Sequence, residues 1–292
     1  MSSTPISPQT DLTALPGADE ADRARRFGGV ARLYGAAALD AFERAHVAVI
    51  GIGGVGSWVA EALARSAIGT LTLIDLDNVA ESNTNRQIHA LDGNYGKPKV
   101  EAMAERIRLI DPACKVRLVE DFVEPSNFDA LLGAGFDYVI DAIDSVRTKT
   151  ALIAWCVEHR VPLITVGGAG GQLDPTRIRI DDLALTIQDP LLSKVRGQLR
   201  KQHGFPRGPK AKFKVSAVYS DEPLLYPEAA VCDVDPDVDP EAEHVSTAPG
   251  QHGPVGLNCA GFGSSVCVTA SFGFAAAAHV LRALAAQAAA VR

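Results

Sequence analysis

The sequence lacks the cysteine patterns of a secreted or disulfide-bonded protein. Its five cysteines form no CxxC pair, and an odd number leaves one thiol unpaired in any disulfide scheme. The first twenty residues lack the basic start and the apolar run of a signal peptide. We therefore expect a cytoplasmic protein with reduced thiols, and we expect residues 1–22 to form a disordered tail.

Strong compositional bias is also absent. With 292 residues, of which 47% are hydrophobic, the chain can bury one large α/β core or two small ones. Its 26 glycines and 17 prolines exclude collagen-like and low-complexity classes. The net charge of −7 argues against a wholly basic nucleic-acid coat. Residues 257–281 are long and apolar enough to span a bilayer, but their small residues favour a buried strand-turn-helix element, so membrane association is the secondary interpretation.

What the sequence does contain is an alternation of short β-branched runs with helical patterns. Such an alternation predicts an α/β fold, a doubly wound, Rossmann-like and mostly parallel sheet. The expected strands are 46–51, 70–77, 116–120, 136–144 and 161–170, and the expected helices are 36–45, 58–68, 97–111 and 146–159.

From residue 171 the pattern changes. A strand at 177–183, a helix near 189–202 and a strand at 214–220 follow. Prolines, acids and few apolar anchors predict a mobile acidic loop at 228–254, and a C-terminal helix closes the chain. We divide the protein into a Rossmann-like half, 23–170, and an appended half, 171–292.

A glycine-rich motif links the first expected strand to the next helix. Gly51, Gly53 and Gly56 give G-x-G-x-x-G, and Asp75 ends the following strand. Backbone N–H groups at such a helix start bind phosphates, and the acid suits a ribose. Taken alone, the motif favours a nicotinamide or flavin dehydrogenase.

The residues after Asp75 favour ATP instead. The stretches DLDNVAESNTNRQ (75–87) and GKPK (96–99) add Asn83, Arg86 and Lys99 within 25 residues. A triphosphate that loses pyrophosphate needs such cations, whereas a dinucleotide does not. For Arg86 and Lys99, the structural alternative is a solvated helix face or linker.

Four motifs occur in order along the chain: GxGGxGS, DxDxVxxSNxxRQ, GxPK and a strand ending in DxxD. In these motifs and in their order, the chain resembles the ubiquitin-activating-type adenylation enzymes, which include molybdopterin and thiamine sulfur-carrier activators. This resemblance implies ATP and Mg²⁺, with Asp75 on the ribose and Asp144 on the metal. It also implies a homodimer in which Arg32, or second Arg26, reaches the neighbouring subunit's ATP. The implied nucleotide-binding residues are Gly51, Gly53, Gly54, Gly56, Asp75, Asp77, Asn83, Arg86 and Lys99.

Sulfur-carrier activators usually carry two CxxC pairs for zinc, and this chain carries none. The absence of these pairs points to the subgroup of tRNA threonylcarbamoyladenosine dehydratases. The chain also resembles that subgroup in the stretches RFGGVARLYG (26–35) and NCAGFGSSVCVTASFGF (258–274). The resemblance implies an ATP-dependent enzyme that cyclises threonylcarbamoyladenosine beside the anticodon through an acyl-adenylate. An adenylating activator of a ubiquitin-like sulfur-carrier protein is the alternative, and a nucleotide sensor or dehydrogenase is the third.

Cysteine 232 lies in the expected acidic loop, where it could act as a thioester nucleophile as in ubiquitin-activating relatives, or be inert. We expect Cys114, Cys156, Cys259 and Cys267 to be core residues. The resemblance suggests a link to a cysteine desulfurase system, and a monovalent cation in the C-terminal half stays open.

Eight cations without an acid lie between Lys194 and Lys214. With Phe205 and Phe213 interleaved, they favour a tRNA backbone and a stacked base over a solvated helix and loop. The predicted RNA-binding residues are Lys194, Arg196, Arg200, Lys201, Arg207, Lys210, Lys212 and Lys214.

Overall fold

The computed structural model describes residues 23–133, 135–208, 211–226 and 262–290. In these ranges the strands form one seven-stranded sheet in the order β3-β2-β1-β4-β5-β7-β6. All neighbouring pairs are parallel except β6 with β7. The strands are β1 (His46–Ile50), β2 (Thr70–Ile74), β3 (Lys115–Val119), β4 (Tyr138–Asp141), β5 (Leu163–Val166), β6 (Ile178–Asp182) and β7 (Ser216–Ser220). The predicted α/β class is confirmed.

Helices cover both faces of this sheet, as buried strands such as β1 require. The helices are α1 (Arg23–Tyr34), α2 (Ala36–Arg44), α3 (Gly56–Ala64), α4 (Lys99–Ile110), α5 (Phe128–Leu132), α6 (Val146–Glu158), α7 (Pro190–Gln202) and α8 (Val266–Ala290). Residues of α2, α3, α4 and α8 share one core, and residues of α5, α6 and α7 share the other.

The strand order of the sheet changes direction between β1 and β4. Strands β2 and β3 lie on one side of β1, whereas β4 pairs with its other side. Crevices form at the carboxyl ends of strands at such a reversal, and ligands of doubly wound folds bind there. The glycine motif follows β1 and the DxxD segment begins at the end of β4, so this edge of the sheet is where a site is expected.

The longest helix in the described ranges is α8. It is the one helix in the described ranges that could cross a membrane by length and composition, and half of its most apolar window is buried in the protein. It packs against α2 and α3 through Val268, Phe272, Ala276, Val280 and Leu284. The helical part of the expected buried element at 257–281 is therefore present, and residues 257–261 lie outside the described residues.

Strands from both predicted halves lie in the one sheet, because β6 and β7 extend it beyond β5. The division at residues 170 and 171 stays a prediction. The predicted tail 1–22 and acidic loop 228–254 lie outside the described residues, as do Cys232 and Cys259. Helix α1 was not among the expected elements.

Candidate active site

The glycine-rich turn joins β1 to α3 and is built around two close backbone approaches. Gly51 has a φ of +87°, and a Cβ there would lie 2.9 Å from the Ala142 carbonyl oxygen. A Cβ on Gly56 would lie 1.7 Å from the Gly51 carbonyl oxygen. Any side chain would therefore force the turn open. The turn brings the start of α3 close to the segment after β4, and the N–H groups at a helix start suit an anion.

Asp75 follows β2 and anchors this turn. Its Oδ2 accepts a 2.6 Å hydrogen bond from the Ile52 N–H, and its Oδ1 accepts one of 2.8 Å from the Asp77 N–H. Lys99, at the start of α4, places its Nζ 2.6 Å from Asp77 Oδ2 and 3.8 Å from Asp75 Oδ1. Burial raises the pKa of Asp75, and Lys99 opposes that rise. The predicted acids and lysine thus converge on the glycine turn.

Arg86 lies directly on the turn. A Cβ on Gly54 would be 3.1 Å from Arg86 Cγ, so the arginine's aliphatic stem covers that glycine. The guanidinium donates to the Ser82 carbonyl at 2.8 Å and to Asn85 Oδ1 at 2.9 Å, while Trp58 donates to the Arg86 carbonyl. Burial lowers the pKa of Arg86. The half-buried cation is therefore held over the glycine turn, where a phosphate would lie.

Asn83 has a structural contact as well as a predicted role. It ends a short 3₁₀ helix, Glu81–Asn83, and is buried. Its Oδ1 accepts a 3.0 Å hydrogen bond from the Ala80 N–H, so the carboxamide orients the turn that carries Arg86. The oxygen is engaged with backbone, and the Nδ2 group is the part that suits a phosphate.

Asp144 is exposed in the turn after β4, directly before Ser145, the N-cap of α6. Among the described residues, no group of three or more His, Cys, Asp or Glu could hold a metal ion. One carboxylate is nevertheless what Mg²⁺ uses when substrate phosphates and water supply its other ligands. The donor set at this edge therefore fits a magnesium ion that arrives with a nucleotide.

Two buried polar atoms near the glycine turn have no hydrogen-bond partner in the described part of the chain. They are Ser57 Oγ, in the first turn of α3, and Gln87 Oε1, next to Arg86. Buried polar groups are seldom left unpaired. Sequence reasoning named neither residue, although both stand inside the quoted GxGGxGS and RQ motifs.

Arg32 and Arg26 are not placed among these residues. Arg32 is exposed on α1, and its guanidinium lies against Gly28 and Gly29 of its own helix. Arg26 donates a 2.6 Å hydrogen bond to the Ile110 carbonyl at the end of α4. A role for either arginine in a partner subunit stays a prediction.

The basic segment contains anchored and exposed cations. Arg196 donates to the Thr186 hydroxyl, and Arg200 lies 5.1 Å from the centre of the Phe213 ring. The expectation that Phe213 stacks on a base is wrong, because Phe213 is only 5% exposed and packs in the core with Phe205. Lys210 lies outside the described residues. The exposed cations are Lys194, Lys201, Arg207, Lys212 and Lys214.

The cysteines divide differently from the expectation. Cys114 and Cys156 are buried, and burial raises the pKa of each to about 12. Cys267 is exposed in the first turn of α8, so its assignment to the core was wrong. The helix buries the next residue, Val268, and turns Cys267 outward.

Comparison with known proteins places the chain among adenylation enzymes. The ThiF family model matches residues 28–290. The tRNA threonylcarbamoyladenosine dehydratase of Escherichia coli is 53% identical over 91% of this chain and 95% of its own length, and that of Haemophilus influenzae is 50% identical over 88% and 92%. The molybdopterin-synthase adenylyltransferase of Escherichia coli is 33% identical over 43% of this chain.

The solved structures agree. The crystal structure of the E. coli tRNA N6-threonylcarbamoyladenosine dehydratase in complex with ATP superposes with a TM-score of 0.79 at 49% identity, covering 93% of this chain and 99% of that one. The AMP complex of the same enzyme also has a TM-score of 0.79 and covers 94% of this chain and 100% of that one. On the match over residues 28–290 and these near full-length relatives, the chain belongs to the ThiF family.

Proposed function

We propose that this protein is an ATP-dependent tRNA threonylcarbamoyladenosine dehydratase. The observation that carries the proposal is the near full-length match, at 53% identity, to the E. coli enzyme of that name, in a chain whose glycine turn is surrounded by Asp75, Arg86 and Lys99. A substrate carboxylate cannot lose oxide directly, so the reaction first needs activation. ATP supplies it by transferring AMP to the carboxylate.

The first step forms an acyl-adenylate. The threonyl carboxylate attacks the α-phosphorus of ATP, and pyrophosphate leaves. Negative charge shifts toward the β-phosphate, and the fixed cations Arg86 and Lys99 stabilise it. Asp75 and the N–H groups of the glycine turn hold the ribose and the phosphates. In the second step, a carbamoyl nitrogen attacks the acyl carbon, AMP leaves, and a hydantoin-like ring closes with net loss of water.

Magnesium belongs with the ATP. Asp144 would hold it, and the ion would supply charge neutralisation on the phosphates. Lys99 already pairs with Asp77, so entry of the triphosphate exchanges one anionic partner of the lysine for another.

The substrate's RNA would lie on the exposed cations of α7 and the segment that follows. A homodimer would bring Arg32 to the neighbouring subunit's ATP. Ring closure within the substrate makes a thioester at Cys232 unnecessary, and coupling to a cysteine desulfurase is a further expectation. We place the enzyme in the cytoplasm, where tRNA and ATP meet.

Activation of a sulfur-carrier protein is the second candidate. Its support is the shorter match to molybdopterin-synthase adenylyltransferase, which covers 43% of this chain. That enzyme class and the dehydratase share the adenylation step, so only the acyl acceptor separates them.

The test is nucleoside mass analysis of tRNA that carries threonylcarbamoyladenosine, incubated with the protein and Mg·ATP. We expect the modified nucleoside to lose the mass of one water only when ATP is present, and we expect Arg86→Ala and Lys99→Ala to abolish the change. Lys97→Ala is the matched control, because the Lys97 Nζ pairs with Glu105 Oε2 of α4 at 2.7 Å instead of with Asp75 or Asp77. An unchanged nucleoside from folded protein that still exchanges pyrophosphate with ATP in the presence of a carrier protein would overturn the proposal.

A further inference from the structure

A fully buried polar cluster lies beneath the carboxyl end of β4. Lys149 of α6, Asp141 of β4 and Thr165 of β5 are each 0% exposed. Lys149 Nζ donates to Asp141 Oδ2 at 2.8 Å and to Thr165 Oγ1 at 3.1 Å, and Thr165 Oγ1 donates to the same Asp141 oxygen at 2.7 Å. None of the three residues has a role in the steps above.

Stability alone is a weak reason for a buried ion pair. Two charges lose their hydration on burial, and apolar replacements of the same shape are often as stable or more so. The position of the pair suggests another reason, because Asp141 is the last residue of β4 and the turn that carries Asp144 begins directly after it.

The cluster holds that turn through both the side chain and the backbone of Asp141. Asp141 Oδ1 accepts a 3.1 Å hydrogen bond from the Ile143 N–H, and Lys149 Nζ also lies 3.3 Å from the Asp141 carbonyl oxygen. Lys149 and Thr165 therefore hold Asp141 Oδ2 in place, and Asp141 Oδ1 holds the backbone N–H of Ile143. Asp144 is the next residue.

The same turn borders the glycine motif. A Cβ on Gly51 would lie 2.9 Å from the Ala142 carbonyl oxygen, so the two turns are in close backbone contact. A shift of residues 142–144 would move the Asp144 carboxylate relative to the nucleotide held by the glycine turn. Small displacements of this kind weaken binding when the protein groups that contact a ligand must be in place before it binds.

We propose that Lys149 is a positioning residue: with Thr165 it locks Asp141, and thereby sets the Asp144 carboxylate for the magnesium ion of Mg·ATP. This inference rests on the proposed function, which supplies the nucleotide and the metal. Sequence reasoning missed it, although a lysine at a core-facing position of α6, in register with Leu152, Ile153 and Cys156, is a signal that it must have a buried acidic partner.

The test uses two conservative variants of Thr165, which separate the positioning of Asp141 from packing in the core. Thr165→Val keeps the shape but removes the hydroxyl that donates to Asp141, whereas Thr165→Ser keeps the hydroxyl and removes a methyl group. The readout is the Mg²⁺ concentration that gives half of the ATP-dependent rise in melting temperature. We expect about a tenfold increase for Thr165→Val, little change for Thr165→Ser, and unchanged ATP binding by all proteins in the absence of Mg²⁺.

Thr72→Val is the matched control, because Thr72 is a buried strand threonine whose hydroxyl bonds only with His46 at 2.7 Å in the described contacts. It should keep the wild-type Mg²⁺ requirement. Lys149→Met, where it folds, should raise the requirement further than Thr165→Val.

The inference is overturned if Thr165→Val keeps the wild-type Mg²⁺ midpoint, or if all three threonine variants shift it equally. Its failure is distinguishable from failure of the proposed function. If the wild-type protein leaves the tRNA nucleoside unchanged but Thr165→Val still raises the Mg²⁺ midpoint, the dehydratase proposal fails and the positioning role is supported.

Discussion

His89 is buried, 1% exposed, and neither ring nitrogen has a hydrogen-bond partner among the described residues. Burial, with Lys99 and Arg106 nearby, lowers its pKa from 6.5 to about 4. The folded protein thus holds the ring neutral, while the unfolded chain binds a proton below pH 6.5. The contribution of His89 to the free energy of unfolding is therefore fully present above pH 6.5 and is lost as the pH falls toward 4.

We therefore expect the free energy of unfolding to drop between pH 7.5 and pH 5, with about 2 kcal/mol of the drop due to His89. Urea unfolding at the two pH values measures it. His89→Gln should remove that part of the drop, whereas His203→Gln, at an exposed site on the end of α7, should keep it. A drop in His89→Gln as large as that of the wild type would contradict the assignment.

Individual residues were predictable where a motif fixed their backbone. Asp75, Arg86 and Lys99 lie around the glycine turn because each follows an element that ends at the same edge of the sheet. Residues whose role depends on a distant partner were not predictable. Lys149 meets Asp141 and Thr165 across three elements, and the side chain of Phe213 turns into the core although its neighbours are cations.

At the scale of elements, the glycine turn and α7 offer a matched pair of substitutions. In Gly56→Ala the new Cβ would lie 1.7 Å from the Gly51 carbonyl oxygen, whereas at Gly197, inside α7, it would meet nothing within 4 Å. We expect Gly56→Ala to abolish the ATP-dependent rise in melting temperature. Gly197→Ala should preserve it and raise the free energy of unfolding by about 0.5–1 kcal/mol. Unimpaired ATP binding by Gly56→Ala would show that the turn tolerates opening.

Element type was easier to predict than element membership. Each buried strand of the parallel part of the sheet was visible as a short β-branched run. Helix α1 was missed because Gly28 and Gly29 weaken its pattern. Contacts beyond the helix stabilise it instead, since Arg23 donates to both carboxylate oxygens of Asp111 at 2.8 and 2.9 Å. Those contacts depend on the tertiary fold and leave no local signal.

For the whole molecule, the alternation of strands and helices predicts a parallel sheet but not its far edge. Strand β7 pairs with β5, and β6 runs antiparallel outside it. That order depends on pairings between residues 34 to 52 positions apart in the chain, which periodicity does not encode. As a result, α7 and its cations pack on the same sheet that carries the candidate nucleotide site.

The proposed RNA surface is the set of exposed cations on α7 and the segment after it, because the chain as a whole carries −7 and RNA phosphates need a local positive patch. We expect tRNA affinity to fall steeply with salt, and Lys201→Gln and Lys212→Gln each to weaken binding and lower the slope of log affinity against log salt by about 1. Both lysines are exposed. Lys115→Gln, an exposed lysine at the amino end of β3, is the control and should leave affinity and slope unchanged. Filter binding of tRNA over a salt series measures both quantities, and equal slopes in all four proteins would place the RNA on another surface.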